Sequence, residues 1–86
     1  MKRIELKNGN YKIIQYYDTE ETKIQSKQYY NSKYYFHRVD GPAIIWYYES
    51  GEIQYEDYLV NGKEYSKEEF EKKINIERNL KLLNKK

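Results

Sequence analysis

Short runs of β-branched and aromatic residues, separated by polar turn pairs, occupy the chain up to residue 65. Such runs suit pleated, half-buried surface. They predict strands over residues 4–7, 12–17, 22–30, 33–37, 43–49 and 52–60. Asn8-Gly9 and Asn61-Gly62 are hairpin-type turn pairs, because both positions tolerate positive φ. Asp18 to Glu21, Asn31-Ser32, Asp40-Gly41 and Ser50-Gly51 supply the remaining reversals. Pro42 suits the first position of a strand, which need not donate to the ladder. At Ser66 the period changes. Ser66-Lys67-Glu68-Glu69 is a capping box, and a helix is predicted over residues 67–83. Its apolar positions form no single stripe: Phe70 and Ile74 lie on one side, and Ile76, Leu80 and Leu83 about a third of a turn round from them.

The strand pattern repeats. Ile13-Ile14-Gln15-Tyr16-Tyr17 matches Ile44-Ile45-Trp46-Tyr47-Tyr48, and Ile24-Gln25 matches Ile53-Gln54. Tyr29, Asn31, Lys33 and Tyr35 match Tyr58, Asn61, Lys63 and Tyr65, at offsets of 29 to 31 residues. The unit is a hairpin with a trailing strand, used twice. The fold expected is α+β and mostly β: an antiparallel meander of two consecutive hairpin units, residues 1–35 and 36–65, closed by a C-terminal helix over residues 66–84, all in one domain.

A two-residue Ser50-Gly51 loop in the second hairpin would pair Tyr48 with Ile53, Trp46 with Tyr55, and Ile45 with Glu56. Alternation then places Ile44, Trp46, Tyr48, Ile53, Tyr55 and Leu59 on a core face. The opposite face holds Ile45, Tyr47, Glu49, Glu52, Gln54 and Glu56, aromatic and acidic together.

Composition sharpens this picture. Twelve of 86 residues are Tyr, with four Tyr-Tyr doublets, and Ala43 is the sole alanine. Lys, Asn, Ile and Tyr all have AT-rich codons, which points to an AT-rich bacterium, or a phage or mobile element within one. There is no cysteine, so neither disulfides nor thiolate metal sites are available. No stretch approaches the roughly 20 apolar residues of a membrane span, and Met1-Lys2-Arg3-Ile4-Glu5 lacks the apolar run of a signal peptide; a cytoplasmic location is expected. The net charge is +2, but no Lys or Arg lies between Ile44 and Gly62, where Glu49, Glu52, Glu56 and Asp57 fall. From Lys67 onward, seven basic residues outnumber four acids. Two electrostatic faces result, or merely solvated charge.

Catalytic chemistry finds little footing. His37 is the only histidine. With Arg38 and Asp40 it has the residue types of an acid–base site, yet alternation puts His37 and Arg38 on opposite faces, and Asp40 sits in a turn. No metal-ligand spacing or phosphate-binding glycine loop is present, so no cofactor is expected.

His37-Arg38-Val39-Asp40-Gly41-Pro42-Ala43, followed by Trp46, Gly51 and Asn61-Gly62, resembles the MORN-like repeat proteins of phages, giant viruses and bacteria. The resemblance covers about residues 35–64; the first copy lacks the Asp-Gly-Pro-Ala core and has Thr19-Glu20 where the glycine turn would be. It implies repeat architecture and binding rather than chemistry. His37, Arg38, Asp40, Gly41, Pro42, Trp46, Gly51, Asn61 and Gly62 are expected as structural positions, with Arg38 lying over Trp46 or a Tyr ring.

A tyrosine doublet in a strand points one ring inward and one outward, so four doublets leave rings on the surface, where they dominate interface energetics. The expectation is a non-enzymatic inhibitor of a host protein. In its sharpest form a host nuclease is blocked by nucleic-acid mimicry through Tyr47, Glu49, Glu52, Gln54 and Glu56. The alternatives are an antitoxin-like or self-associating adaptor using the helix, with strand edges open to dimerisation, and a single-strand RNA binder using Tyr29, Tyr30, Tyr34 and Tyr35 with Lys23, Lys27 and Lys33.

Overall fold

A computed structural model describes residues 1–84, with side chains described through Glu77. Six strands follow one another across a single antiparallel sheet in chain order: β1 (Lys2–Glu5), β2 (Tyr11–Tyr16), β3 (Ile24–Tyr30), β4 (Ile44–Tyr47), β5 (Ile53–Val60) and β6 (Lys63–Tyr65). One helix, α1 (Lys67–Asn84), completes the chain. Its capping box forms: Ser66 Oγ accepts the Glu69 amide at 3.1 Å, and Glu69 Oε1 accepts the Ser66 amide at 3.0 Å. The Ser66 amide, and after it the Ser66 hydroxyl, hold the Glu69 carboxyl below its ordinary range.

The duplication extends to a defect in the ladder. In β2–β3 the register slips between Gln15 and Tyr16, so that Tyr16 faces Ile24 and Gln25 is the extra residue. In β4–β5 it slips between Trp46 and Tyr47, so that Tyr47 faces Ile53 and Gln54 is the extra residue. A bulge of this kind increases local twist. Matching bulges at matching glutamines mean that the two hairpins are the same unit in space as well as in sequence.

Several expectations are corrected. Trp46 pairs with Tyr55 and Ile45 with Glu56 as expected, but the bulge gives Ile53 to Tyr47 rather than to Tyr48. Tyr48 instead closes a wider loop, its amide donating to Glu52 O at 2.9 Å and its carbonyl accepting Gly51 N–H at 3.0 Å. Gly51, at φ 94°, supplies the left-handed residue of that loop. Asn8 and Gly9 have positive φ as expected, yet they sit in a 3₁₀ turn, Lys7–Gly9, within a loop closed by Leu6 N–H donating to Asn10 O at 2.8 Å. The strand expected over residues 33–37 reduces to one bridge, Phe36 to Tyr30. The cause is Asn31, whose side-chain oxygen accepts the amides of Lys33 and Tyr35 at 2.9 and 3.0 Å and curls the chain into a turn. Strand β3 starts at Ile24 because Asp18 gathers the Thr22 and Lys23 amides, each at 3.0 Å, and the Thr22 hydroxyl ahead of it.

Alternation along the registered strands puts Ile14, Tyr29, Ala43, Ile45, Glu56, Tyr58 and Val60 on one face. The helix docks here, Phe70 lying 4.8 Å from the Tyr58 ring. Ile14, Ala43, Ile45, Val60 and Phe70 are all buried, so this helix-side face is the core. The other face is open apart from Tyr11 and Ser26, which are buried on it. It bears an aromatic ladder in which Tyr11 stacks on Tyr30 at 5.0 Å and Tyr30 on Phe36 at 4.8 Å, with the Arg3 guanidinium 3.9 Å above Tyr11. Each such pair contributes about 0.5–1.5 kcal/mol beyond its buried area.

The inside–outside assignment of the second hairpin is therefore overturned for several of its apolar residues, while Glu49, Glu52, Gln54 and Glu56 are exposed as expected. Ile45, expected outside, is 7% exposed, whereas Tyr48, Ile53 and Tyr55, expected inside, are 51%, 52% and 46% exposed. Among the described residues helix α1 packs mainly on β5 and β6, and no second layer lies over the open face. The shape agrees: the radius of gyration is 14.9 Å, against about 12 Å for a compact domain of this length. On the helix-side face, Lys27 and Glu56 flank Ile45 in the adjoining strands. Long side chains of this kind shield apolar neighbours with their methylene stems while keeping charge in water. Along the helix Phe70 is buried and Ile76 is 59% exposed; the side chains of Leu80 and Leu83 lie outside the described residues.

Candidate functional site

The motif from His37 to Ala43 forms an excursion from the sheet closed across a single residue. His37 N–H donates to Tyr29 O at 2.9 Å before the chain departs, and Tyr29 N–H donates to Ala43 O at 2.7 Å after it returns. Between these points Arg38 holds the loop from inside. Its Nε donates to Asp40 Oδ1 at 2.9 Å, its Nη1 donates to Pro42 O at 3.2 Å, and its Cζ lies 4.1 Å from the Tyr29 ring centroid. The guanidinium thus lies over a tyrosine and not over Trp46. Gly41 gives it room: a Cβ there would come within 2.9 Å of Arg38 Cζ. Ala43 is fully buried, so no larger side chain fits where the strand resumes.

His37 and Asn61 join the two units. His37 Nδ1 accepts the Asn61 amide at 3.0 Å, which leaves the ring proton of the neutral imidazole on Nε2. Asn61 Oδ1 accepts from Asn31 Nδ2 at 3.1 Å, and Gly62 N–H donates to Phe36 O at 2.8 Å. Gly62 has φ 83°, and a Cβ there would meet the Tyr35 ring at 3.2 Å. His37, Asn61 and Gly62 are accordingly parts of one joint. His37 shares no hydrogen bond with Asp40, whose carboxylate is already paired with Arg38. Among the described residues no group of three or more His, Asp or Glu is placed to hold a metal ion.

Beside this loop lies an open cleft of about 670 Å³. The β1–β2 turn forms one rim through Leu6 and Lys7, and the Arg38 loop forms the other through Val39 and Asp40, with Lys12 and Tyr29 between them. Lys12 Nζ stands 5.7 Å from the Tyr29 ring. The two turns are far apart in sequence, and no local motif announced the cleft.

The residues expected to contact a partner are not gathered into one acidic surface. Tyr47 and Glu56 lie on the helix-side face, Glu49 and Glu52 stand exposed at the β4–β5 tip, and Gln54 is the bulge residue. A recess beside Tyr47 and Glu49 is lined also by Lys23 and Lys27, and Lys27 Nζ is 5.8 Å from the Tyr47 ring. The cation-free span in sequence is therefore bordered by cations in space, brought by β3. Tyr17 adds a further tie between the units, its hydroxyl donating to Tyr47 O at 2.7 Å.

The surface missed by sequence reasoning is the open face of β4–β5. Trp46 stacks on Tyr55 with centroids 6.3 Å apart at 25°, and Tyr48 and Tyr55 are each about half exposed; Ile53, opposite Tyr47, is half exposed on the other face. Alternation had marked Tyr48 and Tyr55 as core; they are surface because, among the described residues, α1 packs on the opposite face. No family model, curated protein or solved structure matches the chain. Among the described residues, no helix is long and apolar enough to cross a membrane.

Proposed function

We propose that this chain is a non-catalytic protein-binding module that engages its partner through the open face of the β4–β5 hairpin. The observation behind this reading is the Trp46–Tyr55 stack flanked by half-exposed Tyr48. Aromatic side chains bury large area at low entropic cost and dominate the energetics of interfaces. Here the sheet beneath holds them in place, and among the described residues no layer covers them. Glu49 and Glu52 at the tip form an acidic rim that favours a partner with basic surface nearby and speeds encounter with it. Lys23 and Lys27 beside Tyr47 argue against mimicry of a nucleic-acid backbone as the main mode. An inhibitor of a host protein fits this reading, with the aromatic face as anchor and the acids as rim. The tasks already held by His37, Arg38 and Asp40 support a non-catalytic role for the repeat motif.

The test compares capture of partners from a cell lysate by the wild-type chain, by Tyr48→Glu/Tyr55→Glu, and by Glu49→Lys/Glu52→Lys/Glu56→Lys, each checked for fold by circular dichroism. The expected result is a protein captured by the wild type, lost in the first variant and weakened in the second. Equal capture by Tyr48→Glu/Tyr55→Glu would refute the assignment of the face.

A further inference from the structure

We propose that the cleft between the β1–β2 turn and the Arg38 loop binds a nucleotide, with its phosphate at Lys7 and Lys12 and its base between Leu6 and Val39. The charge balance of the lining points this way. Two carboxylates line the cleft, and both are occupied: Glu5 accepts Arg3 Nε at 2.7 Å, and Asp40 accepts Arg38 Nε at 2.9 Å. Lys7 and Lys12 have no ion-pair partner within 4 Å among the described residues. Two lysines without an ion-pair partner among the described residues thus share the lining with two carboxylates that each have an arginine partner, a charge balance suited to a dianion such as a phosphate monoester.

Apolar walls distinguish a nucleotide from phosphate alone. Leu6 on one rim and Val39 on the other are 41% and 49% exposed. The floor is the Tyr29 ring, already overlain by a guanidinium. A volume of about 670 Å³ falls within the usual range for small-molecule sites. Asn8 and Asn10, also in the lining, offer amide donors and acceptors to the edge of a base. The site lies across the sheet from the aromatic face of β4–β5 and does not depend on it.

The experiment is titration of the full chain with adenosine monophosphate, inorganic phosphate and a decathymidylate, followed calorimetrically and by amide chemical shifts. Adenosine monophosphate is expected to bind with Kd of about 0.1–1 mM, and inorganic phosphate at least about tenfold more weakly. Shifts should centre on residues 6–12 and 38–40. Lys7→Ala/Lys12→Ala should lower affinity for the mononucleotide about tenfold or more. Leu6→Ser/Val39→Ser should weaken the mononucleotide while leaving phosphate unchanged. Decathymidylate binding that is lost in the lysine variant would place the nucleotide within a strand at the same cleft. The proposal is overturned if the mononucleotide binds no better than phosphate, if the lysine variant binds every probe as the wild type does, or if the shifts fall elsewhere.

Discussion

Asn31 and Asn61, thirty residues apart and equivalent in the two units, meet directly: the side-chain amide of the first donates to the side-chain oxygen of the second at 3.1 Å. The pair is unequal in what each residue supports. Asn31 Oδ1 also accepts two backbone amides of its own turn, whereas the Asn61 backbone, at φ 51°, is held by His37. Asn31→Ala should cost about 1–2 kcal/mol, because three hydrogen bonds go. Asn61→Gly keeps the left-handed backbone and loses one side-chain bond, and should cost less than about 1 kcal/mol. Urea denaturation of the two variants checks the order.

Arg38 and Gly41 should be strongly coupled. Gly41 is not in the left-handed region; its hydrogen is needed because the Arg38 guanidinium occupies the space of a Cβ. Gly41→Ala in the wild type should displace the guanidinium and cost about 1–2 kcal/mol, but within about 0.5 kcal/mol of nothing in an Arg38→Ala background. A double-mutant cycle by thermal or urea melting reads the coupling. Additive costs would show that the loop tolerates a methyl and that Arg38 does not hold it.

Acid should loosen the chain at two defined carboxylates. Asp18 is held below its ordinary range by the Thr22 hydroxyl first and the Lys23 amide next, and Glu69 by its bonds with Ser66. A carboxyl whose folded value is depressed adds stability above its unfolded value and loses it as pH falls through the folded value. The stability gap between wild type and Asp18→Asn, or Glu69→Gln, should therefore be full at neutral pH and shrink from about pH 4 downward. Urea midpoints across that range provide the measurement.

Alkali should act on the aromatic ladder. Burial, with the neighbouring Tyr11 adding to it, raises the Tyr30 phenol above its ordinary value. The folded chain then holds this proton longer than the unfolded chain, so the contribution is complete below about pH 10 and is lost as pH rises through the raised value. Tyr30→Phe keeps both ring stacks and removes the ionising group. Its melting temperature should fall less steeply with pH than that of the wild type.

Much of this architecture was legible in the chain because it is local. The capping box at Ser66 and Glu69, the left-handed positions Asn8, Gly9, Gly51, Asn61 and Gly62, and the duplicated Ile-Ile strands follow from residues near one another in sequence. The failures share another cause. Which face of β4–β5 is inner depends on where α1 docks, and alternation has no information on that. The displaced strand at residues 33–37 turned on the side chain of Asn31 overriding the strand preference of two tyrosines. Lys23 and Lys27 beside Tyr47, and the cleft between two remote turns, arise only when the strands are placed side by side.

The first unit's tail bears on how the molecule comes apart. Phe36 and His37 pair with β3, while the chain just beyond them is bonded to the far end of β5: Arg38 N–H donates to Leu59 O at 3.1 Å and Gly62 N–H to Phe36 O at 2.8 Å. The strand line between β3 and β5 is thus assembled from both copies, and neither hairpin can melt while the other keeps its full complement of ladder bonds. Unlike a solenoid whose modules peel away in turn, this pair should lose its structure in a single concerted transition.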